Sequence, residues 1–182
     1  MLALRDVSLR IADGAVFLII GESGSGKTTL ARILSGFLGP EYGEMTGRVT
    51  IDGTDVHGTP RQDLANLVGL VQQDPESQMV TLNVDDEVAF GLENQGMERS
   101  EMTNRISWAL RAAGAEDLAG RSISTLSGGE LQKVAIASII ALKPKVLVLD
   151  EPTSSLDPPS AWKLAEVLGE LSSKGITIVV IE

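Results

Sequence analysis

The sequence predicts an α/β domain. It would hold a mostly parallel sheet, a small antiparallel β subdomain and an inserted helical subdomain over roughly residues 84–141. Three observations predict it. Short continuous apolar runs (AVFLII at 15–20, VLVLD at 146–150, ITIVVI at 176–181) read as strands buried on both faces. Stretches of helical periodicity separate them, and strands alternating with helices imply parallel pairing with right-handed crossovers. One long helical stretch, between Val84 and Ala141, interrupts that rhythm.

The elements follow in order. After the first run comes a glycine-rich turn, then KTTLARILSG, with a stripe at Leu30, Ile33 and Leu34 and a stop at Gly36. GRVTIDGTDV alternates around Val49 and Ile51 and carries Asp52-Gly53, a hairpin signal. LVGLV (67–71) is a further strand. SEMTNRISWALRAAG predicts a helix capped by Ser100, with Met102, Ile106, Leu110 and Ala113 at helical spacing and Gly114 as its end. Pro158-Pro159 opens a helix that runs to Gly175. Trp108 and Trp162 both fall on helices and are expected to pack. His57 lies in DGTDVHGTP and is expected to face solvent without a role.

Composition narrows the function classes. The 182 residues suffice for one domain with a core. They are 43% hydrophobic but 3% aromatic, so aliphatic side chains must build that core. A formal net charge of −10 argues against non-specific affinity for nucleic acid. With no cysteine, neither a disulfide framework nor a thiolate metal site is available. No apolar run approaches the ~20 residues that span a bilayer.

GESGSGKTT (21–29) matches the pattern G-x-x-x-x-G-K-[ST] between a strand and a helix. Backbone N–H groups must converge on phosphate oxygens there, which favours small residues and unusual φ at Gly21, Gly24 and Gly26. Glu22, Ser23, Ser25 and Thr29 complete the loop. The helix that begins near Lys27 adds its positive end. Lys27 supplies a mobile charge for the β- and γ-phosphates, and the Thr28 hydroxyl suits Mg²⁺. Asp150 and Glu151 end an apolar strand, where open parallel sheets bind ligands. Asp150 suits Mg²⁺ through water, and Glu151 suits a base for the water that attacks the γ-phosphate. Alone, the glycines would fit an ordinary βα turn and the two acids a solvated helix start; together they favour nucleotide chemistry in a RecA-like P-loop fold.

Residues 125–157, TLSGGELQKVAIASIIALKPKVLVLDEPTSSLD, resemble the ATP-binding-cassette ATPases. LSGGE (126–130) resembles the family signature, with Glu130 where glutamine is more frequent. SSLD (154–157) resembles the D-loop and VQQDP (71–75) the Q-loop, with Gln73 as its glutamine. The resemblance implies ATP and Mg²⁺ as ligands, with Gln73 joining Thr28 and Asp150 at the metal and Glu151 and Lys27 in catalysis. It implies a head-to-tail dimer with a second ATPase subunit, in which Ser127, Gly128 and Gly129 close over the partner's nucleotide and Asp157 helps pair the sites. On its own, SGG before a helix would read as a flexible turn that caps it.

The stretch QQDPESQMVTLNVDDEVAFGLEN (72–94) resembles the ATPases of energy-coupling-factor importers of vitamins, cobalt or nickel. That implies a transmembrane partner held at this region and a place at the cytoplasmic face of the cell membrane, with no nucleic acid expected. The alternatives are a soluble cassette ATPase of translation or DNA repair and, ranked lower, a P-loop kinase or nucleotide sensor, in which LSGGE and SSLD have no task.

The resemblance also implies features at the ends. ITIVVIE matches the residues just before a switch histidine, so the domain is expected to be truncated and its last strand to be an exposed or poorly covered edge. The family's first strand would already be under way in ALRDVSLRI. No aromatic precedes Phe17 to stack on adenine, a loss of roughly 0.5–1.5 kcal/mol. Nucleotide binding is expected to be weakened rather than abolished, and activity impaired.

Overall fold

A computed structural model describes residues 3–182. Four parallel strands form one sheet in the order β1-β6-β5-β4: β1 (Val16–Ile19), β4 (Val68–Val71), β5 (Val146–Asp150) and β6 (Thr177–Ile181). Every neighbouring pair is parallel, with Val16 opposite Ile178, Val146 opposite Thr177 and Val68 opposite Val146. All four carboxyl ends therefore lie along one edge of the sheet. A separate hairpin pairs β2 (Thr50–Ile51) with β3 (Thr54–Asp55) in antiparallel fashion. Its turn is the expected Asp52-Gly53, both at positive φ (48° and 76°), as a two-residue hairpin with the twist of its strands requires.

The period of two along β5 and β6 splits the core between the two sheet faces. Leu147, Leu149, Ile178 and Val180 face the larger cluster, built with helices α4 (Val84–Asn94), α5 (Arg99–Ala112), α6 (Gly128–Ile140) and α7 (Pro158–Ser173). Val148, Val179 and Ile181 face the smaller one, under α1 (Lys27–Leu34) and beside Val56. The short helices α2 (Arg61–Leu64) and α3 (Pro75–Gln78) flank β4 in sequence. The helices of residues 84–141 thus share one continuous apolar cluster with a sheet face, and α6 packs directly on β4.

Five expectations are corrected, His57 last. β6 is not a poorly covered edge: it lies between β1 and β5, and its five residues are all buried. β1 is an edge strand and is not buried on both faces; Val16 and Leu18, which share one face, are 52% and 53% exposed because the described residues cover that face incompletely. Ser100 does not cap α5. The helix begins at Arg99 behind Glu98, which places Ser100 inside the first turn. Trp162 is 74% exposed on α7, whose buried stripe is Leu164, Leu168 and Leu171.

Trp108 does pack on the larger cluster, with the Lys143 ammonium 5.5 Å from its ring centre. His57 is half-buried rather than solvent-facing, and its Nε2 lacks a partner. Among the described residues no strand precedes Val16. None of their helices is long and apolar enough to cross a membrane.

Gly69 fixes the distance between β4 and α6. A Cβ there would lie 2.1 Å from Ile139 Cγ2, and a β-branched side chain on a helix has little rotamer freedom with which to retreat. We expect Gly69→Ala to destabilise the fold by about 1–3 kcal/mol through overpacking, measured as a lowered midpoint of urea unfolding at unchanged slope.

Candidate functional site

The loop from Gly21 to Gly26 joins the end of β1 to α1. Gly26 occupies the N-cap position of α1 at φ 94°, and a Cβ there would meet the Ala3 carbonyl oxygen at 2.6 Å, so only glycine fits. Gly24 is also left-handed, at φ 81°. No side chain caps α1, which leaves its first N–H groups for an anion. Lys27 bends back over the loop: its Nζ donates to the carbonyls of Gly21 (2.7 Å) and Glu22 (3.1 Å). Glu22, Ser23 and Ser25 are exposed along the loop, and Thr29 is half-buried on α1.

Parallel pairing brings the ends of β5 and β4 beside this loop. The Thr28 hydroxyl donates to Asp150 Oδ1 at 3.3 Å. Asp150 is 4% exposed, and that burial pushes its carboxyl above the usual range, opposed by the Thr28 hydrogen bond. Glu151 joins the two sides of the site. Its Oε1 lies 3.4 Å from Lys27 Nζ and its Oε2 accepts from Gln73 Nε2 at 2.8 Å. Its backbone is left-handed, at φ 45°, a conformation worth about 1–3 kcal/mol of strain in a non-glycine residue. The Glu151 N–H is tied to the Ile181 carbonyl at 2.7 Å.

Between these groups opens a polar cleft of about 190 Å³ lined by Thr28, Arg32, Gln73, Asp74, Ser77 and Asp150. Sequence reasoning did not single out Arg32, Asp74 or Ser77, nor Leu70 and Gln72, which also line the cleft. Arg32 was findable, because it stands four residues after Thr28 on one face of α1. Asp74 and Ser77 carry no such signal, since the short helix α3 alone places them. Among the described residues no group of three or more His, Cys, Asp or Glu could hold a metal. A divalent ion at Thr28 and Asp150 would have to complete its shell with waters and phosphate oxygens, which is how Mg²⁺ binds at nucleotide sites. The donor set therefore fits Mg²⁺ together with a nucleotide and not an ion alone.

The structure does not bring every predicted site residue to this cleft. Ser127 caps α6 in a capping box with Glu130. The Ser127 N–H and hydroxyl donate to Glu130 Oε2 at 2.7 and 2.8 Å, and Arg121 pairs with Glu130 at 2.7 Å. Gly128 is open: a Cβ there would meet nothing within 4 Å. At Gly129 it would meet Leu156 and Ser160, beside Asp157 and the start of α7. No hydrogen bond among the described residues links Ser127, Gly128, Gly129 or Asp157 to Lys27, Thr28, Asp150 or Glu151. The chain thus displays two separate helix starts: α1, whose first N–H groups no side chain caps, and α6, whose start is held by the Ser127–Glu130 box.

A second concavity, of about 620 Å³, lies between α2 with the turn after it, α4 and α6, beside the end of α3. Gln78, Val80, Glu87, Phe90, Ser138 and Leu142 are among its lining residues. Glu87 is 5% exposed; its Oε2 accepts from the N–H groups of Val80 (3.0 Å) and Thr81 (2.9 Å) and from the Thr81 hydroxyl (2.9 Å). That carboxylate fixes the loop leading into α4.

A glycine-rich strand-to-helix loop beside a strand-end acid pair, on a parallel sheet, defines a P-loop nucleoside-triphosphatase fold. The model of the ABC transporter family matches residues 4–154. The chain belongs to that family. It is 44% identical, over 99% of its own length and 65% of the relative's, to a putative ABC transporter ATP-binding protein of Pyrococcus abyssi. It is 40% identical, over 94% of its length and 59% of the relative's, to the energy-coupling factor transporter ATP-binding protein EcfA1 of Ligilactobacillus salivarius.

Among solved structures it resembles cbiO1 of Clostridium perfringens, part of the ABC transporter complex cbiONQ. The TM-score is 0.87 at 34% identity, over 98% of this chain and 71% of that one. It also resembles a dimeric cassette, MJ0796, in a post-hydrolysis state bound to ADP and phosphate. There the TM-score is 0.83 at 30% identity, over 98% of this chain and 79% of that one. The chain spans between 32% and 65% of the length of the first curated relatives it matches.

The Glu130 cap has a measurable consequence. Hydrogen bonds from the Ser127 backbone and hydroxyl, with Arg121 nearby, hold the Glu130 carboxyl down at about 2 against an ordinary value of 4.5. A depressed carboxylate adds stability that is complete above the unfolded value and fades as pH falls towards the folded one. We expect Glu130→Ala to lower the thermal midpoint at pH 7, and the gap to the unmodified chain to narrow steadily between pH 4.5 and about 2.

Proposed function

We propose that this chain is the nucleotide-binding part of an ABC importer of the energy-coupling-factor type, hydrolysing ATP to ADP and phosphate. The observation that carries this reading is the contact chain Lys27–Glu151–Gln73 beside the Thr28–Asp150 pair. It combines a phosphate cation, a base, an orienting amide and an ion-holding hydroxyl and carboxylate in one contact network at the carboxyl ends of the strands, with Thr28, Gln73 and Asp150 lining the cleft.

Each residue has a task in the chemistry. Lys27 exchanges the Gly21 and Glu22 carbonyls for phosphate oxygens, and the N–H groups at the start of α1 bind the same charge. Thr28, Asp150 and Gln73 would hold Mg²⁺, which when bound offsets charge on the phosphates. Burial raises the Asp150 carboxyl above its ordinary value, and a bound cation would favour its ionised form. Glu151, freed from Lys27, takes the proton of a water whose oxygen attacks the γ-phosphorus as the bond to the bridging oxygen breaks. Gln73 orients that carboxylate and that water.

The second helix start belongs to the partner's site in this reading. Ser127, Gly128 and Gly129 would close over the nucleotide held by another ATPase subunit, and Asp157 would help to pair the two. Two facts support it: no hydrogen bond ties the signature to the cleft of its own chain, and the structural relative MJ0796 is dimeric. Residues 84–141 would act as the helical subdomain, and the concavity between α2, α4 and α6 would receive a transmembrane subunit at the cytoplasmic face of the membrane. Val80 and Phe90 stand exposed in the lining of that concavity, at 63% and 45%. The EcfA1 relatives are named as energy-coupling factor transporter proteins, which favours that importer type.

Two outcomes test the reading. Glu151→Gln is expected to bind ATP, to lose about 10²–10⁴-fold in turnover and to accumulate as an ATP-bound dimer in size-exclusion chromatography; continued fast turnover would remove the role. Phe90→Asp is expected to keep ATP hydrolysis while the tagged full chain no longer brings down a multi-helix membrane protein in mild detergent. Recovery of ribosomes or DNA by the unmodified chain would point instead to a soluble cassette ATPase.

A further inference from the structure

Glu182 follows β6 and touches both halves of the site without lining the cleft. Its N–H donates to the Ile19 carbonyl at 2.8 Å, and its own carbonyl accepts from the Gly21 N–H at 3.0 Å. The main chain at Glu182 thereby carries the β1–β6 ladder into the first residue of the phosphate loop. The side chain goes to the other half. Glu182 Oε1 accepts from the Thr153 N–H at 3.3 Å and from the Thr153 hydroxyl at 2.9 Å. A carboxylate that accepts two donors from one residue fixes that residue more tightly than a neutral acceptor would.

Thr153 stands two residues beyond Glu151 in a turn closed on Glu151 itself. The Ser154 N–H and hydroxyl both donate to the Glu151 carbonyl, at 3.2 and 2.9 Å. Glu151 holds a left-handed backbone, which persists only where its surroundings enforce it. Its N–H is anchored on one side by Ile181. On the other side the turn is anchored by Thr153, and Thr153 by Glu182. None of the tasks assigned above uses either residue.

We propose that Glu182 is a positioning residue for Glu151. Through Thr153 it locks the turn that aims the Glu151 carboxylate between Lys27 and Gln73, and through Gly21 it ties that aim to the phosphate loop. The inference rests on Glu151 as the base. A residue that served stability alone would shift the melting point and leave turnover per folded molecule unchanged.

The test is ATP hydrolysis, ATP affinity and thermal midpoint in the full chain for Glu182→Ala, Glu182→Gln, Thr153→Val, the double variant Glu182→Ala/Thr153→Val, and Glu151→Gln. We expect Glu182→Ala and Thr153→Val each to lower kcat roughly tenfold to a hundredfold, the scale of a small misplacement at a reacting centre, with KM for ATP nearly unchanged. The double variant should be no worse than the poorer single one, because both remove the same link. Glu182→Gln, which keeps an acceptor oxygen, should recover part of the loss. Thr153→Val keeps the side-chain shape, so it reports on the contact even where Glu182→Ala fails to fold.

Unchanged kcat in Thr153→Val, additive losses in the double variant, or an effect confined to KM or to the melting point would overturn the proposal. If the unmodified chain hydrolyses no ATP, or if Glu151→Gln turns over as fast as it does, the reading of Glu151 falls and this inference with it. If Glu151→Gln is inactive while Thr153→Val and Glu182→Ala turn over normally, only the positioning role falls.

Discussion

The pairing of β5 with β6 on one side and β4 on the other is the interaction on which the site depends. It buries the apolar part of β5, so Asp150 arrives at the sheet edge almost out of water. The same pairing sets Gln73 and Glu182 at that edge, because parallel strands end together. The phosphate loop leaves the fourth strand, β1, at the same edge. Chemistry that needs a cation, a hydroxyl and two acids within a few ångströms is assembled from residues up to 124 positions apart, from one strand end and the start of one helix.

Burial and strain work together at β5. Asp150 is desolvated and holds its proton more readily than a free aspartate, while the next residue adopts a backbone that favours glycine. Neither feature helps the fold. Their cost falls on the strand that the sheet grips on both sides, where neighbouring hydrogen bonds can hold them. The Glu130 carboxylate has the opposite history. It is exposed enough to stay solvated, and its hydrogen bonds reinforce the start of α6. One acid was placed where charge is difficult, the other where it is easy.

Much of this was legible in the sequence, for a reason that differs by element. β5 and α1 were readable because an unbroken apolar run and a helical stripe leave few alternatives, and the Asp52-Gly53 turn because its backbone geometry selects those residues. The positions of β1 and β6 were misread. An apolar run reports that a strand wants burial, but not which of two similar runs takes the interior place. Ser100 misled because Ser is a good cap in general, while α5 began one residue earlier behind Glu98. Trp162 misled because burial tendencies are averages, and the stripe of α7 turned away from it. At the candidate site, the loop pattern singled out Lys27 and Thr28, the strand end Asp150 and Glu151, and the Q-loop resemblance Gln73, and the fold sets all five side by side. Motif spacing could not find the Thr153–Glu182 link, which exists only once β6 has docked.

The exposed Trp162 gives the chain an optical consequence. It has two tryptophans, one in water at the start of α7 and one lying on the core beneath the Lys143 ammonium. Their emission should separate into a red-shifted part open to a neutral quencher such as acrylamide and a screened, bluer part. With ten excess negative charges, the molecule would repel iodide and blunt that contrast, so a neutral quencher is the better tool. Since Trp162 stands five positions beyond Asp157, its fluorescence should register, without any label, whatever approaches that end of α7.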